Sequence, residues 1–295
     1  MKKLQMALAA ALMLAACTKN DEPEQTPEAP KLDIVIPSDS VETHATVTFT
    51  FGGDIDIQAM TRATLADMNL TDVWVFDYVG DALQSSIHQA STDDDFGQPS
   101  LLMEYGTHTI YFVASRGSDA VVDTDAKTVT WGIVRDTFWA TLQMTVSPST
   151  ATSQTVSLSR VVGRLRINAT DVVPSTAAKF IVTPTTWYYG LRYDTGAAVT
   201  SQTTPIVVNI PSSYIGTTNL STSVYTISGS SQWITGVTAA LKTSADAVLG
   251  SVIISDIPMQ RNHITTYSGG ILSSNRSITL GVNNDEWVED TPSTW

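Results

Sequence analysis

From residue 31 onward the apolar side chains mostly alternate with polar ones instead of recurring every three or four positions. Thr, Val, Ile, Ser and aromatic residues dominate these stretches. That pattern predicts half-buried β-strands. Residues 45–51 show it most clearly: Val47, Phe49 and Phe51 point one way, threonines point the other, and Gly52-Gly53 closes the run. Further strands are predicted at 70–78, 107–115, 128–134, 140–146, 154–158, 161–169, 179–183, 206–210, 223–227, 247–254, 263–267 and 277–282. Two stretches, 61–69 and 235–247, read as candidate helices, although neither has a clean amphipathic period.

Short strands punctuated this often by Gly, Pro, Asp and Ser argue for an all-β protein built of sandwiches. The polar stretch 147–155 separates two strand-rich halves, which predicts one β-sandwich domain over 31–150 and a second over 151–295. The length, 295 residues with 42% hydrophobic side chains, suffices for two cores.

Charge and composition narrow the chemistry. Sixteen Lys+Arg against 29 Asp+Glu leave a net charge of −13, which opposes any grip on phosphate backbones, so nucleic acid is set aside as a partner. One cysteine rules out an internal disulfide framework and multi-cysteine metal sites. Four scattered histidines leave little for a histidine-based one. No cofactor is expected.

The amino terminus reads as an address. Met1-Lys2-Lys3 is followed by a largely apolar stretch of thirteen residues, Leu4 to Ala16. A membrane-spanning helix needs roughly 20, so residues 1–16 are predicted to be a signal peptide. The run ends Leu14-Ala15-Ala16-Cys17 with the chain's only cysteine, which resembles the lipobox of bacterial lipoproteins. The resemblance implies that Cys17 is lipidated and becomes the mature amino terminus, so that the membrane is reached through a lipid anchor only. Residues 17–30, rich in Pro and acid, have too little apolar surface to fold and are predicted to form an extended tether. Lys19 followed by acids also resembles the signal that exports Bacteroidetes lipoproteins to the outer face of the outer membrane. That resemblance implies a chain facing the cell exterior, with retention on the periplasmic side as the alternative.

Four further segments together resemble the fimbrillin family, the subunits and accessory proteins of Bacteroidetes type V pili. They are Leu70-Thr71-Asp72-Val73-Trp74-Val75-Phe76-Asp77, the Gly-led strand Tyr105-Gly106-Thr107-His108-Thr109-Ile110-Tyr111-Phe112-Val113-Ala114 ending near Arg116-Gly117, Leu158-Ser159-Arg160-Val161-Val162-Gly163-Arg164-Leu165-Arg166-Ile167, and Pro258-Met259-Gln260-Arg261-Asn262-His263-Ile264-Thr265-Thr266. The resemblance implies two tandem β-sandwich domains of transthyretin-like, Greek-key type behind a lipoprotein signal peptide. It also implies a non-catalytic role in pilus assembly, anchoring or adhesion, with other fimbrillin-like subunits as partners. In that family an arginine-specific protease cuts behind the first strand of the amino-terminal domain, and an extended segment of the next subunit fills the groove. The matching positions here are the strand carrying Val47, Phe49 and Phe51, and Arg62 as the processing site. The carboxy-terminal tail departs from the pattern: Pro292 and its acidic neighbours make a poor donor strand. That favours an anchor, accessory or tip component over a repeating stalk subunit.

Other chemistry is thinly represented. Asp93-Asp94-Asp95 offers clustered oxygens to calcium but lacks the spacing of a calcium loop. Asp123 and Asp125 suit a hairpin turn. No Gly-x-Ser-x-Gly elbow is present, and His44, His88, His108 and His263 fall on or beside strands, so no catalytic site is expected. Asp39-Ser40-Val41 resembles a short bacterial O-glycosylation site. Trp187, Tyr188 and Tyr189 form a candidate ligand patch, since sugar rings stack on aromatic faces. It supports the alternative of an outer-membrane glycan-binding lipoprotein in a nutrient-uptake system. The anchor is directly testable: Cys17→Ser should abolish incorporation of labelled fatty acid and move the protein from the membrane fraction to the soluble one. Retained acylation would remove the lipoprotein reading.

Overall fold

The computed structural model of the chain describes residues 43–53, 65, 69–218, 220–272 and 283–286. Nearly every alternating segment among them is a strand. In chain order these are β1 (His44–Gly53), β2 (Asp72–Val79), β3 (Ala82–Ala90), β4 (Ser100–Glu104), β5 (Gly106–Ser115), β6 (Ala120–Asp123), β7 (Thr128–Trp131), β8 (Thr137–Val146) and β9 (Ser153–Arg160). There follow β10 (Val162–Ala169), β11 (Lys179–Pro184), β12 (Trp187–Arg192), β13 (Ala197–Gln202), β14 (Ile206–Asn209), β15 (Leu220–Ile227), β16 (Trp233–Lys242), β17 (Val248–Met259), β18 (His263–Gly269) and β19 (Asn283–Glu286). One 3-10 turn, Ser212–Tyr214, is the only helical element among the described residues. The expected all-β class is the one observed.

The first seven-stranded sheet runs β3-β2-β5-β8-β9-β1-β4. Its continuity breaks at one place: β8 meets β9 only at Phe138↔Arg160 and Trp139↔Ser159. There β9 leaves β8 and, over Ser153–Leu158, pairs with β1 instead. Strands β4, β1 and β9 thus form a second layer over β2, β5 and β8. The layers enclose Val47, Phe49, Phe51, Val73, Val75, Leu101, Met103, Ile110, Phe112, Phe138, Val156 and Leu158 in one core. This is the sheet-on-sheet burial that alternation predicts.

Strand β2 is buried on both faces. Val73 and Val75 enter that first core, while Trp74, Phe76 and Tyr78 belong to a larger second one. The second core lies among three four-stranded sheets: β15-β10-β18-β19, β14-β11-β16-β17 and β13-β12-β7-β6. The last of these joins β7 to β12 at Thr130↔Gly190, Val129↔Leu191 and Thr128↔Arg192. The β6–β7 hairpin therefore lies before residue 150 but pairs with a strand beyond it, and β9 lies beyond residue 150 but pairs with β1. Across the same line Phe76 stacks on Tyr193 with ring centroids 4.1 Å apart. The Tyr78 and Tyr193 hydroxyls are 2.8 Å apart, and Trp139 Nε1 donates to the Tyr193 carbonyl at 2.7 Å.

Residues 235–247, read above as a candidate helix, mostly form β16 instead. This strand is buried on both faces over much of its length, which erases the alternation that marks a strand in sequence. The strands the pattern did not predict have equally physical reasons. β3 is a mostly exposed, polar edge strand, and β12 begins with three aromatic residues in a row. The candidate strand 277–282, Cys17, Arg62 and the segments 1–16 and 17–30 lie outside the described residues.

Phe49 is completely buried, with its ring edge-on to Phe112 at 5.2 Å. Phe49→Ala should therefore lower unfolding stability by about 3–5 kcal/mol in urea titration. A loss below about 1 kcal/mol would mean that this strand contributes little to the core.

Candidate functional site

The feature of this fold with the most functional content is the seat of β1. The first half of the strand pairs antiparallel with β4, from His44↔Glu104 to Thr48↔Ser100. The second half pairs parallel with β9, from Thr48↔Ser153 to Gly53↔Leu158. The two ladders overlap only at Thr48, so β1 splices two strands that do not touch one another in the sheet order. Among the described residues strand β4 is an edge with no other strand neighbour. The splice is closed by the Thr48 amide donating to the Thr152 carbonyl (2.8 Å) and the Phe49 amide to the Pro99 carbonyl (2.9 Å). Inward, Val47, Phe49 and Phe51 fill three adjacent positions against Phe112; Phe51 and Phe112 lie edge-to-face at 5.6 Å. Outward, hydroxyls tie the layer together: Thr48 to Ser100 at 2.7 Å and Thr50 to Thr155 at 3.3 Å.

A buried polar clamp lies at the β4 end of this seat. His108 on β5 places Nδ1 2.7 Å from Asp77 Oδ1 on β2, and Nε2 2.9 Å from the Glu104 carbonyl at the end of β4. Both side chains are buried. A carbonyl can only accept, so Nε2 carries a proton. The ring is then either an imidazolium facing a carboxylate or a neutral ring accepting from protonated Asp77, and the pair has no net charge in both forms. Burial pushes the Asp77 carboxyl above the usual carboxylate range, and the hydrogen bond and charge of His108 oppose that shift. The clamp gives β4 a tie to the rest of the protein that does not pass through β1.

Residues from three of the four fimbrillin-like segments meet at the corner where β9 turns into β10. Arg160 Nε and Nη2 donate to Asp136 Oδ1 and Oδ2 at 2.7 and 3.1 Å. Its Nη1 donates to Asn262 Oδ1 at 3.1 Å, and the guanidinium lies 4.9 Å from the centre of the Phe138 ring. Arg116 Nη2 approaches Asp136 at 3.6 Å. Beside it the Arg261 guanidinium donates to the Gly196 carbonyl (2.7 Å) and the Ser228 carbonyl (3.2 Å). Asn262, in the left-handed region at φ 57°, sends its amide to the Val162 carbonyl at 2.9 Å. This is a structural seam: each of the three guanidinium groups is held by Asp136, Asn262 or a backbone carbonyl. Sequence reading found the Arg and Asn of these segments but missed Asp136, which lies in none of them.

The other candidates separate. Trp187 and Tyr189 are buried in the second core, and Trp187 Nε1 donates to the Tyr225 carbonyl at 2.7 Å. This corrects the reading of the three aromatics as one ligand patch. Successive side chains of a strand face opposite ways, so only Tyr188 is left half-exposed, edge-on to Trp233 at 5.2 Å. Asp93 accepts the Ala90 amide in the turn after β3, and Asp123 accepts the amides of Asp125 and Ala126 in the β6–β7 hairpin. Among the described residues no three His, Cys, Asp or Glu side chains group as metal ligands would.

The clamp makes a pH-dependent prediction. A carboxyl whose pKa is raised by folding contributes stability that is fully present below its unfolded value and is lost as pH rises through the folded one. His108 opposes that rise, so His108→Ala should raise the Asp77 pKa further. The variant should lose about 3 kcal/mol relative to the parent near pH 7, and the gap should narrow as pH falls toward about 4. Urea titrations at the two pH values measure it, and a gap that does not change with pH would contradict the electrostatic account.

Comparison with known proteins places this architecture. The chain shares its fold with a candidate cell adhesion protein from Bacteroides uniformis, at 12% identity and a TM-score of 0.50 over 84% of this chain and 100% of that one. A candidate polysaccharide-binding protein from Bacteroides thetaiotaomicron aligns at 9% identity and TM-score 0.49, covering 82% and 98%. The fimbrial anchor protein Mfa2 from Porphyromonas gingivalis aligns at 10% and 0.46, covering 76% and 90%. The fold shared with the Bacteroides uniformis protein is the all-β, sandwich-type architecture expected from the sequence. No curated protein sequence matches the chain. Residues 121–293 match the model of a family of unknown function, DUF6562, and since that match covers more than half of the 295 residues, the chain belongs to that family.

Proposed function

We propose that this chain is a non-catalytic cell-surface protein that takes part in pilus assembly, anchoring or adhesion by β-strand complementation. The observation that carries the reading is the position of β1: an inserted strand between β4 and β9, and the sole strand partner of β4. Burying Val47, Phe49 and Phe51 stabilises the domain by roughly 5–9 kcal/mol at about 1.5–3 kcal/mol per side chain. That rivals the whole stability of an ordinary domain, about 5–15 kcal/mol. A seat emptied of β1 therefore demands a replacement, and an extended segment of a second subunit supplies the same main-chain pairing and the same three anchors. The partners in this reading are other fimbrillin-like subunits.

The signal peptide, Cys17 and the tether of residues 17–30 complete the proposal: a lipid anchor in the outer membrane holds the folded part facing the cell exterior. The poor donor character of the tail, with Pro292 among acids, fits an anchor, accessory or tip position.

The test uses the purified full-length protein and an arginine-specific protease. Cleavage should release an amino-terminal fragment ending at Arg62, and light scattering should then detect oligomers. A cleanly cut protein that stays monomeric would remove the complementation mechanism.

A further inference from the structure

The sheet β13-β12-β7-β6 has one face in the second core and one that is partly exposed, with Tyr188, Thr128 and Thr130 half-buried and Val121, Arg192 and Ser201 exposed. On β12 the alternation sends Trp187, Tyr189 and Leu191 inward and Tyr188, Gly190 and Arg192 outward. Cross-strand pairing sets their neighbours. Ser201 lies opposite Tyr188, and Thr130 and Val199 flank Gly190. Thr128 and Ala197 flank Arg192, and Val121 extends the middle row beyond Thr130.

Three properties of this face point to one ligand class. At one end stands an aromatic pair, Tyr188 edge-on to Trp233 at 5.2 Å, both half-exposed. The indole is held by its Nε1 donating to Ser228 Oγ at 3.2 Å. In the middle Gly190 is itself buried, and the side chains of Thr130, Val199 and Thr200 close over it. A Cβ there would stand 3.0 Å from Thr130 Cγ2 and 3.1 Å from Val199 Cγ2, so nothing bulkier fits without moving its neighbours. At the other end Arg192 is already neutralised by Asp194, with Nε and Nη2 donating at 2.9 and 3.1 Å. The remaining polar side chains are the hydroxyls of Thr128, Thr130 and Ser201 and, opposite Thr128, the exposed Asp123 carboxylate.

We infer that this face binds a neutral glycan, with the half-exposed Tyr188 ring, braced by the perpendicular Trp233 indole, stacking against the C–H face of a sugar ring and the hydroxyl row taking up its polar edge. A protein partner would need an apolar centre, and Val121 is the only large aliphatic side chain strongly exposed here. An anionic glycan would need free positive charge, and the arginine on the face is paired while the chain carries −13 overall. From Tyr188 to Arg192 the face runs about 13 Å along the strand, room for a short run of rings. The site takes no part in the β1 ladders, so it stands apart from strand complementation.

Affinity gel electrophoresis of the full-length protein through soluble starch, laminarin, galactomannan and xyloglucan tests it, with polygalacturonate and heparin as anionic controls. Retardation by at least one neutral polymer is expected. Calorimetry with an oligosaccharide of that polymer should show binding weakened about tenfold or more by Tyr188→Ala, the scale of one lost stacking contact. Ser201→Arg, at an exposed position outside the core, should obstruct the same face while leaving the melting temperature unchanged. No retardation in any neutral polymer would overturn the inference. So would retardation by the anionic polymers alone, or binding that survives both substitutions.

Discussion

Main-chain pairing leaves the layer over the first core with a single splice. Strand β4 reaches its sheet through β1 alone, and β9 has only two residue pairs to β8 before it, too, depends on β1. Backbone N–H and C=O groups must be paired when buried, so three strands share the fate of one. The same strand supplies Val47, Phe49 and Phe51 to the core beneath. Hydrogen bonding and apolar burial here are two aspects of one insertion.

Side-chain contacts reinforce both flanks of the splice. The Asp77–His108–Glu104 clamp ties the end of β4 to β2 and β5. The Asp136–Arg160–Asn262 seam fixes the corner from which β9 departs. Both are buried polar groups with partners of opposite charge or lone pairs to spare, which is the condition under which such groups are tolerated in a core. Together they tie the strands that flank β1 to the rest of the fold by contacts outside the β1 ladders.

The second core adds rigidity of another kind. Strand β2 buries both faces, and the β6–β7 hairpin completes a sheet begun by β12. Phe76, Tyr78 and Tyr193 lock these elements by ring stacking and a hydroxyl pair. The outer face of β12 thereby sits on a fixed platform.

Alternation is a local property with a period of two. Reading it located most of the strands, the inward face of β1 and the all-β class. Pairing is not local. Nothing near residue 49 announces that its strand lies between residues 100–104 and 153–158, because ladders join segments by backbone groups that every residue carries. Burial on both faces likewise depends on what arrives from elsewhere. It hid β16 behind a helix-like run of Ala and Leu, and it turned Trp187 and Tyr189 from a presumed surface patch into core. The arginines of the family-like segments were visible as residue types, but Asp136, which gives Arg160 its place, acquired its role only when the β8–β9 corner brought the two together. The chain's local chemistry determines what each strand offers to a neighbour; the closing of the sheets decides which neighbour receives it.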